Sequence, residues 1–216
     1  MTIHESAPYL ALPAQTPAPG VVVLHAWWGL TPVFRQVCDR LAEAGFVALA
    51  PDLYAGTTAD TVEAAADLID KRDSAAMAAR AEAGLRTLRA HPAVRGDRLG
   101  AVGFSMGASW ALALAGDHGD IFGPVVLFYG TNPADFSTTS ASFQGHFAEH
   151  DEWEPIEGVR QMEADMRAAG RAVELHLYPG VGHWFVEPNR PEYNPAAAEL
   201  AWQRALVFLR DGLEQP

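Results

Sequence analysis

Ser105 lies at the centre of a glycine-flanked motif, Gly103-Phe104-Ser105-Met106-Gly107. An apolar run precedes this motif and a run of small residues follows it, an order that predicts a strand, a sharp turn and a helix. Such a turn exposes a serine hydroxyl above a sheet, and the glycines leave room for the backbone to pass closely. The motif therefore predicts a nucleophilic serine. The alternative is a structural serine in a glycine-rich turn.

A serine hydroxyl is a weak nucleophile at neutral pH unless a base removes its proton. The histidines that follow Ser105 in the chain are His118, His146, His150, His176 and His183. We predict that His183 is the base, because it follows a predicted strand through the flexible loop Pro179-Gly180-Val181-Gly182, which would let the imidazole reach the serine. His176 alternates within that strand, and His118 follows the helix after the serine. The alternative is that His183 is an ordinary loop histidine.

An acid must then orient the base. Where the serine lies in a sharp turn between a strand and a helix, the acid lies between the serine and the histidine in the chain. The loop after the preceding predicted strand reads Ala148-Glu149-His150-Asp151-Glu152-Trp153. We predict that Asp151 is the acid. Glu149, Glu152 and Glu154 are alternatives, and so is a purely solvated acidic loop.

Acyl transfer also requires two hydrogen-bond donors for the oxyanion that develops on the carbonyl. The backbone N–H groups of Met106, directly after the serine, and of Trp27, after the first buried strand, can supply them. We expect Trp28 to wall a substrate pocket, as we do Trp184 and Phe185, which directly follow the predicted base. Packing in the core is the alternative for these three side chains.

Composition bounds the class of protein. The chain has 216 residues, of which 49% are hydrophobic and 19% are charged, against roughly 25% charged in typical soluble domains. Disorder is therefore excluded, and we predict a single domain over residues 1–216. The formal net charge is −12 and Lys71 is the only lysine, so nucleic acid and anionic membrane are poor partners.

The sequence has no feature of a secretion signal or of a membrane-spanning helix. Residues 1–10 have neither a basic start nor an apolar run, and no apolar stretch approaches the roughly 18 residues of a membrane helix. We therefore predict a cytoplasmic protein.

Cys38 is the only cysteine, which excludes an internal disulfide and a thiolate-based metal site. The apolar helical pattern around Cys38 predicts a core residue. We expect no cofactor and no metal.

Strand and helix patterns alternate along the chain. Apolar runs predict strands at 9–12, 21–25, 46–50, 99–104, 125–129, 143–147 and 172–178. Helical spacing and end signals predict helices at 32–44, two within 59–90, and others at 106–115, 155–169 and 195–209. This order predicts an α/β fold with a mostly parallel central sheet and helices on both faces, whose functional loops lie at the carboxyl ends of the strands.

Several segments together resemble the dienelactone hydrolase (carboxymethylenebutenolidase) family over nearly the whole chain. They are His25-Ala26-Trp27-Trp28-Gly29-Leu30, Ala50-Pro51-Asp52-Leu53-Tyr54-Ala55-Gly56, the Ser105 motif, Phe128-Tyr129-Gly130, His150-Asp151, Tyr178-Pro179-Gly180-Val181-Gly182-His183 and Arg190-Pro191-Glu192-Tyr193-Asn194. The resemblance implies an α/β-hydrolase fold without a large cap domain, and activity on small lactones and esters. It places the triad on Ser105, Asp151 and His183, and we add Tyr54 to the predicted pocket.

The chain departs from the family pattern at its nucleophile. The family commonly has cysteine where this chain has Ser105, and a glutamate that activates the cysteine where this chain has Ala26. A serine has no stored thiolate to activate, so the two departures agree with each other. They favour an ordinary serine esterase over thiolate activation.

A third departure concerns the substrate. In the family an arginine shortly after the catalytic histidine helps to hold a carboxylate, whereas this chain reads His183-Trp184-Phe185-Val186-Glu187. Glu187 is expected to repel an anion, which favours a small neutral or apolar ester. Arg190, Arg72 and Arg80 are other cations that could reach a pocket.

The resulting prediction is a hydrolase of small carboxylic esters or lactones that works through a Ser-His-Asp triad and an acyl-enzyme. A monomer or small homo-oligomer is expected. The alternatives are a triad enzyme acting on peptides or another acyl donor, and a small-ligand-binding module of the same fold without catalysis.

Overall fold

The computed structural model describes residues 7–214. Residues 1–6, which belong to the segment searched for a secretion signal, lie outside the described part of the chain. The chain divides into two compact units, Met1–Asp97 and Arg98–Pro216.

Within residues 7–97, the described part of the first unit, lie three complete strands and three helices. The strands are β1 (Tyr9–Ala11), β2 (Ala18–Leu24) and β3 (Val47–Ala50), in the order β1-β3-β2. β3 runs parallel to β2 and antiparallel to β1. Every residue of β2 and β3 is buried, as expected for apolar strands covered on both faces.

Two of the three helices in residues 7–97 begin where the sequence predicts, and the middle one begins at Val62, inside the predicted stretch 59–90. The three helices are α1 (Pro32–Glu43), α2 (Val62–Asp70) and α3 (Ser74–Arg89). Thr31 is the N-cap position of α1, and Pro32 is its first residue. The predicted break between α2 and α3 exists because Asp73 caps α3, accepting a hydrogen bond from the Ala76 N–H at 3.0 Å.

The remaining described strands run in parallel and lie in the second unit, except that the first of them begins four residues before it, at Val94. β4 (Val94–Phe104) leads into α4 (Met106–Asp117) and is followed by β5 (Phe122–Phe128), β6 (Ser142–Ala148), α5 (Ile156–Ala168), β7 (Val173–Tyr178) and α6 (Pro195–Glu214). These strands lie in the order β4-β5-β6-β7, and every adjacent pair is parallel. Their carboxyl ends therefore share one edge, where the loops after β4, β5, β6 and β7 meet.

The seven strands within residues 7–214 belong to one mostly parallel sheet. Its strands are contacted by α1, α3, α4, α5 and α6. Residues 7–214 contain no separate cap domain. This is the α/β-hydrolase fold that the sequence predicts. Among the described residues no helix is both long and apolar enough to cross a membrane.

Some boundaries differ from the predicted ones. β4 begins at Val94 rather than residue 99, and α6 continues to Glu214 rather than ending near residue 209. Gly212 explains the extension of α6, since a Cβ there would lie 2.9 Å from the Pro124 side chain, so the helix end passes close to β5. The apolar period that marks a helix does not report such a contact. A 3₁₀ turn at Phe136–Thr138 was not predicted.

Candidate active site

Ser105 occupies a strained turn between β4 and α4. Its backbone has φ 50° and ψ −115°, a left-handed conformation that non-glycine residues rarely adopt. Its N–H donates to the Phe128 carbonyl of the neighbouring strand at 2.9 Å. Gly103 is required because a Cβ there would lie 2.4 Å from the Gly107 carbonyl oxygen. The surrounding backbone therefore holds the serine in its turn.

The structure brings Ser105, His183 and Asp151 into one hydrogen-bonded chain. Ser105 Oγ lies 3.0 Å from His183 Nε2, and His183 Nδ1 lies 2.7 Å from Asp151 Oδ2. The side chains of His183 and Asp151 are only 4% and 1% exposed. A carboxylate only accepts hydrogen bonds, so Nδ1 carries the proton and Nε2 of the neutral imidazole accepts from the serine hydroxyl. This arrangement can remove the proton from an attacking serine.

The loop after β6 fixes the Asp151 carboxylate. Its second oxygen, Oδ1, accepts hydrogen bonds from the N–H groups of Trp153 at 2.8 Å and Glu154 at 3.0 Å. The Glu149 N–H donates to the Tyr178 carbonyl at 3.0 Å, which joins this loop to the end of β7. One carboxylate oxygen of Asp151 is thus held by its own loop, and the other hydrogen-bonds to His183.

Glu154, one of the alternative acids, has another role in the structure. Its carboxylate accepts from both the N–H and the hydroxyl of Thr131, in the loop after β5. Burial raises the pKa of Glu154, and these hydrogen bonds oppose that rise. Glu149 and Glu152 are exposed. Asp151 is the carboxylate that hydrogen-bonds to His183.

Aromatic rings surround the His183 imidazole. Tyr129, at the end of β5, has its ring centroid 4.8 Å from that of His183. Trp184 meets the imidazole edge-on at 5.5 Å, and Trp153 lies at 6.5 Å. Trp153 is 50% exposed and also contacts Trp184. Sequence reasoning did not single out Trp153, although its place two residues after Asp151 was a usable signal.

Tyr129 and Glu187 form a buried pair beside His183. The Tyr129 hydroxyl donates to Glu187 Oε1 at 2.9 Å, and both residues are at most 1% exposed. Burial, the Glu187 charge and this hydrogen bond hold the pKa of Tyr129 well above its usual value. Glu187, expected from the sequence to repel an anionic substrate, is thus enclosed by protein and bonded to a phenol.

The other predicted pocket side chains differ in exposure. Phe185 is fully buried and packs against Tyr129 and Tyr178, whereas Trp184 is 6% exposed. In the first unit the rings of Trp27 and Trp28 meet edge-on at 5.2 Å. Their assignments to a pocket and an oxyanion hole stay predictions.

Tyr54 also lies in the first unit. Its ring is 5.6 Å from that of His25, and burial raises the pKa of Tyr54 to about 12. Its place in the pocket stays a prediction. Cys38 is fully buried, as the sequence predicts, and burial raises the pKa of its thiol.

Comparison with known proteins identifies the family. The model of the dienelactone hydrolase family matches residues 7–213. The chain belongs to the dienelactone hydrolase family. It is similar to a Bradyrhizobium sp protein named "Probable 2-oxo-3-(5-oxofuran-2-ylidene)propanoate lactonase", with 32% identity over 94% of this chain and 88% of the relative. It is also similar to "Protein usf" of Aquifex pyrophilus, with 31% identity over 95% of this chain and 93% of that protein.

A solved structure supports the same assignment. The structure named m3DLH has 27% sequence identity and a TM-score of 0.83, covering 94% of this chain and 91% of its own. Membership of the dienelactone hydrolase family makes the protein a carboxylic ester hydrolase.

Proposed function

We propose that this dienelactone hydrolase family member cleaves small carboxylic esters or lactones with Ser105 as nucleophile, His183 as base and Asp151 as orienting acid. The observation that carries the proposal is the buried hydrogen-bond chain from Ser105 Oγ to Asp151, with distances of 3.0 and 2.7 Å. The strained backbone of Ser105 supports it, because such strain persists where a nucleophile is held in a sharp turn.

The chemistry proceeds in two halves. Ser105 Oγ attacks the carbonyl carbon while its proton passes to His183 Nε2, and Asp151 stabilises the imidazolium. The imidazolium then protonates the leaving oxygen as its bond to the acyl carbon breaks, which leaves an acyl-serine. Water attacks this ester with His183 again as base, and the acid product and the free serine are released. In a lactone the leaving oxygen stays attached to the acyl group.

The oxyanion donors are part of the proposal. Met106 is the first residue of α4 and directly follows the nucleophile, which is the position of one donor in this type of turn. The Trp27 N–H is proposed as the second donor. A small substrate fits the lack of a separate cap domain in residues 7–214.

The name of the Bradyrhizobium relative supports lactones as one substrate class. A cytoplasmic location, a monomer or small homo-oligomer, and one domain over residues 1–216 stay predictions.

The proposal is tested at the serine. A fluorophosphonate should label the wild-type protein at Ser105, and Ser105→Ala should lose both labelling and hydrolysis of p-nitrophenyl acetate, by about 10³-fold or more. Ser109→Ala is the matched control, since Ser109 lies one turn further on in α4 and donates to the Thr131 carbonyl. It should keep both.

The same assay separates the alternatives. Turnover that survives in Ser105→Ala would refute the proposed nucleophile. Wild-type protein that binds esters without hydrolysing them would indicate a binding module. A preference for peptides over p-nitrophenyl esters and lactones would change the substrate class.

A further inference from the structure

A second group of polar side chains lies behind the site, on β6, β7 and α6, and its members on β6 and β7 are buried while the one on α6 is half-buried. Tyr178 is the last residue of β7, five positions before His183. Its hydroxyl is 2.8 Å from Nδ1 of His146, on β6, and 3.2 Å from a guanidinium nitrogen of Arg204, on α6. We call Tyr178, His146 and Arg204 the tyrosine anchor.

The hydrogen bonds of the anchor have one consistent direction. Gln144 Nε2 donates to Glu174, so Gln144 Oε1 faces His146 Nε2 at 3.0 Å and must accept from it. With its proton on Nε2, the neutral imidazole has an acceptor at Nδ1, and the Tyr178 hydroxyl donates there. Arg204 in turn donates to the phenol oxygen. Each hydrogen bond along this path thus pairs a donor with an acceptor, and the phenol O–H points at His146.

The His146 ring is also held by stacking. It stacks on Phe128 and on His176, with centroid distances of 4.8 and 5.3 Å, and Phe128 stacks on Phe104 at 4.8 Å. These four stacked rings lie on β4, β5, β6 and β7. The first of them, Phe104, directly precedes Ser105. The acceptor that fixes the Tyr178 hydroxyl is therefore itself immobilised across four strands.

Tyr178 connects this rigid region to the loops of the site. Its ring packs on Phe185 at 4.9 Å, Phe185 meets Tyr129 at 5.8 Å, and Tyr129 contacts His183 at 4.8 Å. Its carbonyl accepts from the Glu149 N–H, two residues before Asp151. One residue thus contacts both the loop with the acid and the loop with the base.

The loop that carries His183 needs such support. Its first residues after Tyr178 are Pro179 and Gly180, both exposed, and a Cβ at Gly180 would meet no atom within 4 Å. This stretch has little packing of its own to fix the imidazole. Restraint on the loop comes from the contacts at its ends, at Tyr178 and at Phe185, and from Gly182, where a Cβ would lie 3.0 Å from the Glu192 side chain.

We propose that Tyr178 is a positioning residue for the reaction, and that its hydroxyl, fixed by His146 and Arg204, holds the His183 loop in the geometry that the serine requires. This inference rests on the proposed function, in which His183 is the base. It predicts that loss of the phenol hydroxyl slows the chemical step without weakening substrate binding.

Tyr178→Phe is the direct test, because it keeps the ring on Phe185 and removes the hydroxyl. We expect kcat for p-nitrophenyl acetate to fall about tenfold while KM stays within about twofold, since a small misplacement of a catalytic group is costly to the rate. An unchanged kcat would overturn the proposal. A raised KM with unchanged kcat would also overturn it, because it indicates substrate contact instead.

A matched pair at His146 tests the direction of the hydrogen bond. His146→Asn keeps an acceptor near the position of Nδ1, whereas His146→Gln places its amide near the position of Nε2 and leaves Tyr178 without its acceptor. Both changes remove the stacked ring, so the two variants differ in the acceptor that they offer to Tyr178. We expect kcat of the glutamine variant to be about tenfold lower than that of the asparagine variant, with no further loss when Tyr178→Phe is added to the glutamine variant. Equal losses in the two variants, or losses that follow the melting temperature, would point to general destabilisation and overturn the proposal.

Hydrogen exchange provides a readout that does not depend on turnover. In Tyr178→Phe the amides of residues 180–187 should exchange faster than in wild type, while amides of α3 should not change. Unchanged exchange in residues 180–187 would overturn the proposal. If Ser105→Ala keeps its activity, the proposed nucleophile fails, and the exchange rates still report whether Tyr178 restrains the loop.

Discussion

His183 and His146 are both buried, and both have hydrogen bonds at their two ring nitrogens. His183 bonds to the Ser105 hydroxyl and the Asp151 carboxylate, at 3.0 and 2.7 Å. His146 bonds to the Tyr178 phenol and the Gln144 amide, at 2.8 and 3.0 Å. The two imidazoles therefore have similar geometry but different partners.

The charges near the two rings are opposite in sign. His183 has the carboxylate of Asp151 beside it, which stabilises a positive imidazolium. Burial, together with His176 and the Arg204 guanidinium, holds the pKa of His146 well below its usual value, so that this ring stays neutral. A histidine thus becomes suited to proton transfer or to structure according to its partners, even when burial is the same.

The largest expected difference is in catalysis. His183→Ala should lower kcat for p-nitrophenyl acetate by about 10⁴-fold, because it removes the proposed acceptor of the serine proton. His146→Asn, which removes the other buried imidazole but keeps an acceptor for the Tyr178 hydroxyl, should lower kcat by tenfold at most. Circular dichroism of both variants checks their folding. Similar losses for the two variants would remove the distinction between the histidines.

The second largest effect is expected at Asp151, the acid proposed to orient His183. Asp151→Asn should lower kcat by about 10³-fold, because an amide can hold the imidazole in the wrong tautomer and carries no charge. Glu152→Gln removes a charge from the exposed neighbour and should change kcat less than twofold. Measuring kcat of both variants at one pH tests this difference. A Glu152→Gln loss as large as that of Asp151→Asn would contradict the assignment of the acid.

A smaller effect concerns the buried pair beside His183. Glu187→Ala should lower the free energy of unfolding by about 2 kcal/mol, because it leaves the buried Tyr129 hydroxyl without its acceptor. Glu187→Gln should cost less, since an amide oxygen still accepts. Urea unfolding measures both, with Glu43→Ala, at an exposed position of α1, as the control. A loss no larger than that of the control would show that the pair contributes nothing to stability.

The smallest effect is the pH dependence of stability due to His146. The folded protein keeps this ring neutral, whereas the unfolded chain takes up a proton below its usual pKa of about 6.5. As the pH falls below 6.5, the unfolded state binds more protons and stability decreases, by up to about 1.4 kcal/mol per pH unit. His146→Asn should remove this part of the slope in urea unfolding between pH 7 and 5.5. Parallel slopes for the two proteins would contradict it.

The fold could be predicted largely from short-range patterns. Pro32 after Thr31, and Ser74 after Asp73, mark the starts of α1 and α3, because capping and proline geometry are local properties. The apolar runs of β2 and β3 indicate strands covered on both faces. The end of α6 differs from the predicted one. There Gly212 lies close to Pro124 of β5, and a pattern of neighbouring residues contains no information about such a contact.

Sequence reasoning selected the residues of the candidate site but not their surroundings. Ser105, Asp151 and His183 were selected because each follows a predicted strand, and parallel strands bring such loops to one edge. The partners of Tyr129 and Tyr178 were not found, since Glu187 lies 58 residues from Tyr129 and His146 lies 32 residues from Tyr178.

The sequence by itself determined the order of strands and helices, the nucleophile motif and the family resemblance, because these depend on residue types at fixed short spacings. Only the tertiary structure decided which buried groups face each other. It showed that Glu187 accepts a hydrogen bond from Tyr129 and that Tyr178 joins the two loops of the site. Hydrogen bonding and burial depend on distances between residues far apart in the chain, and packing of the strands sets those distances.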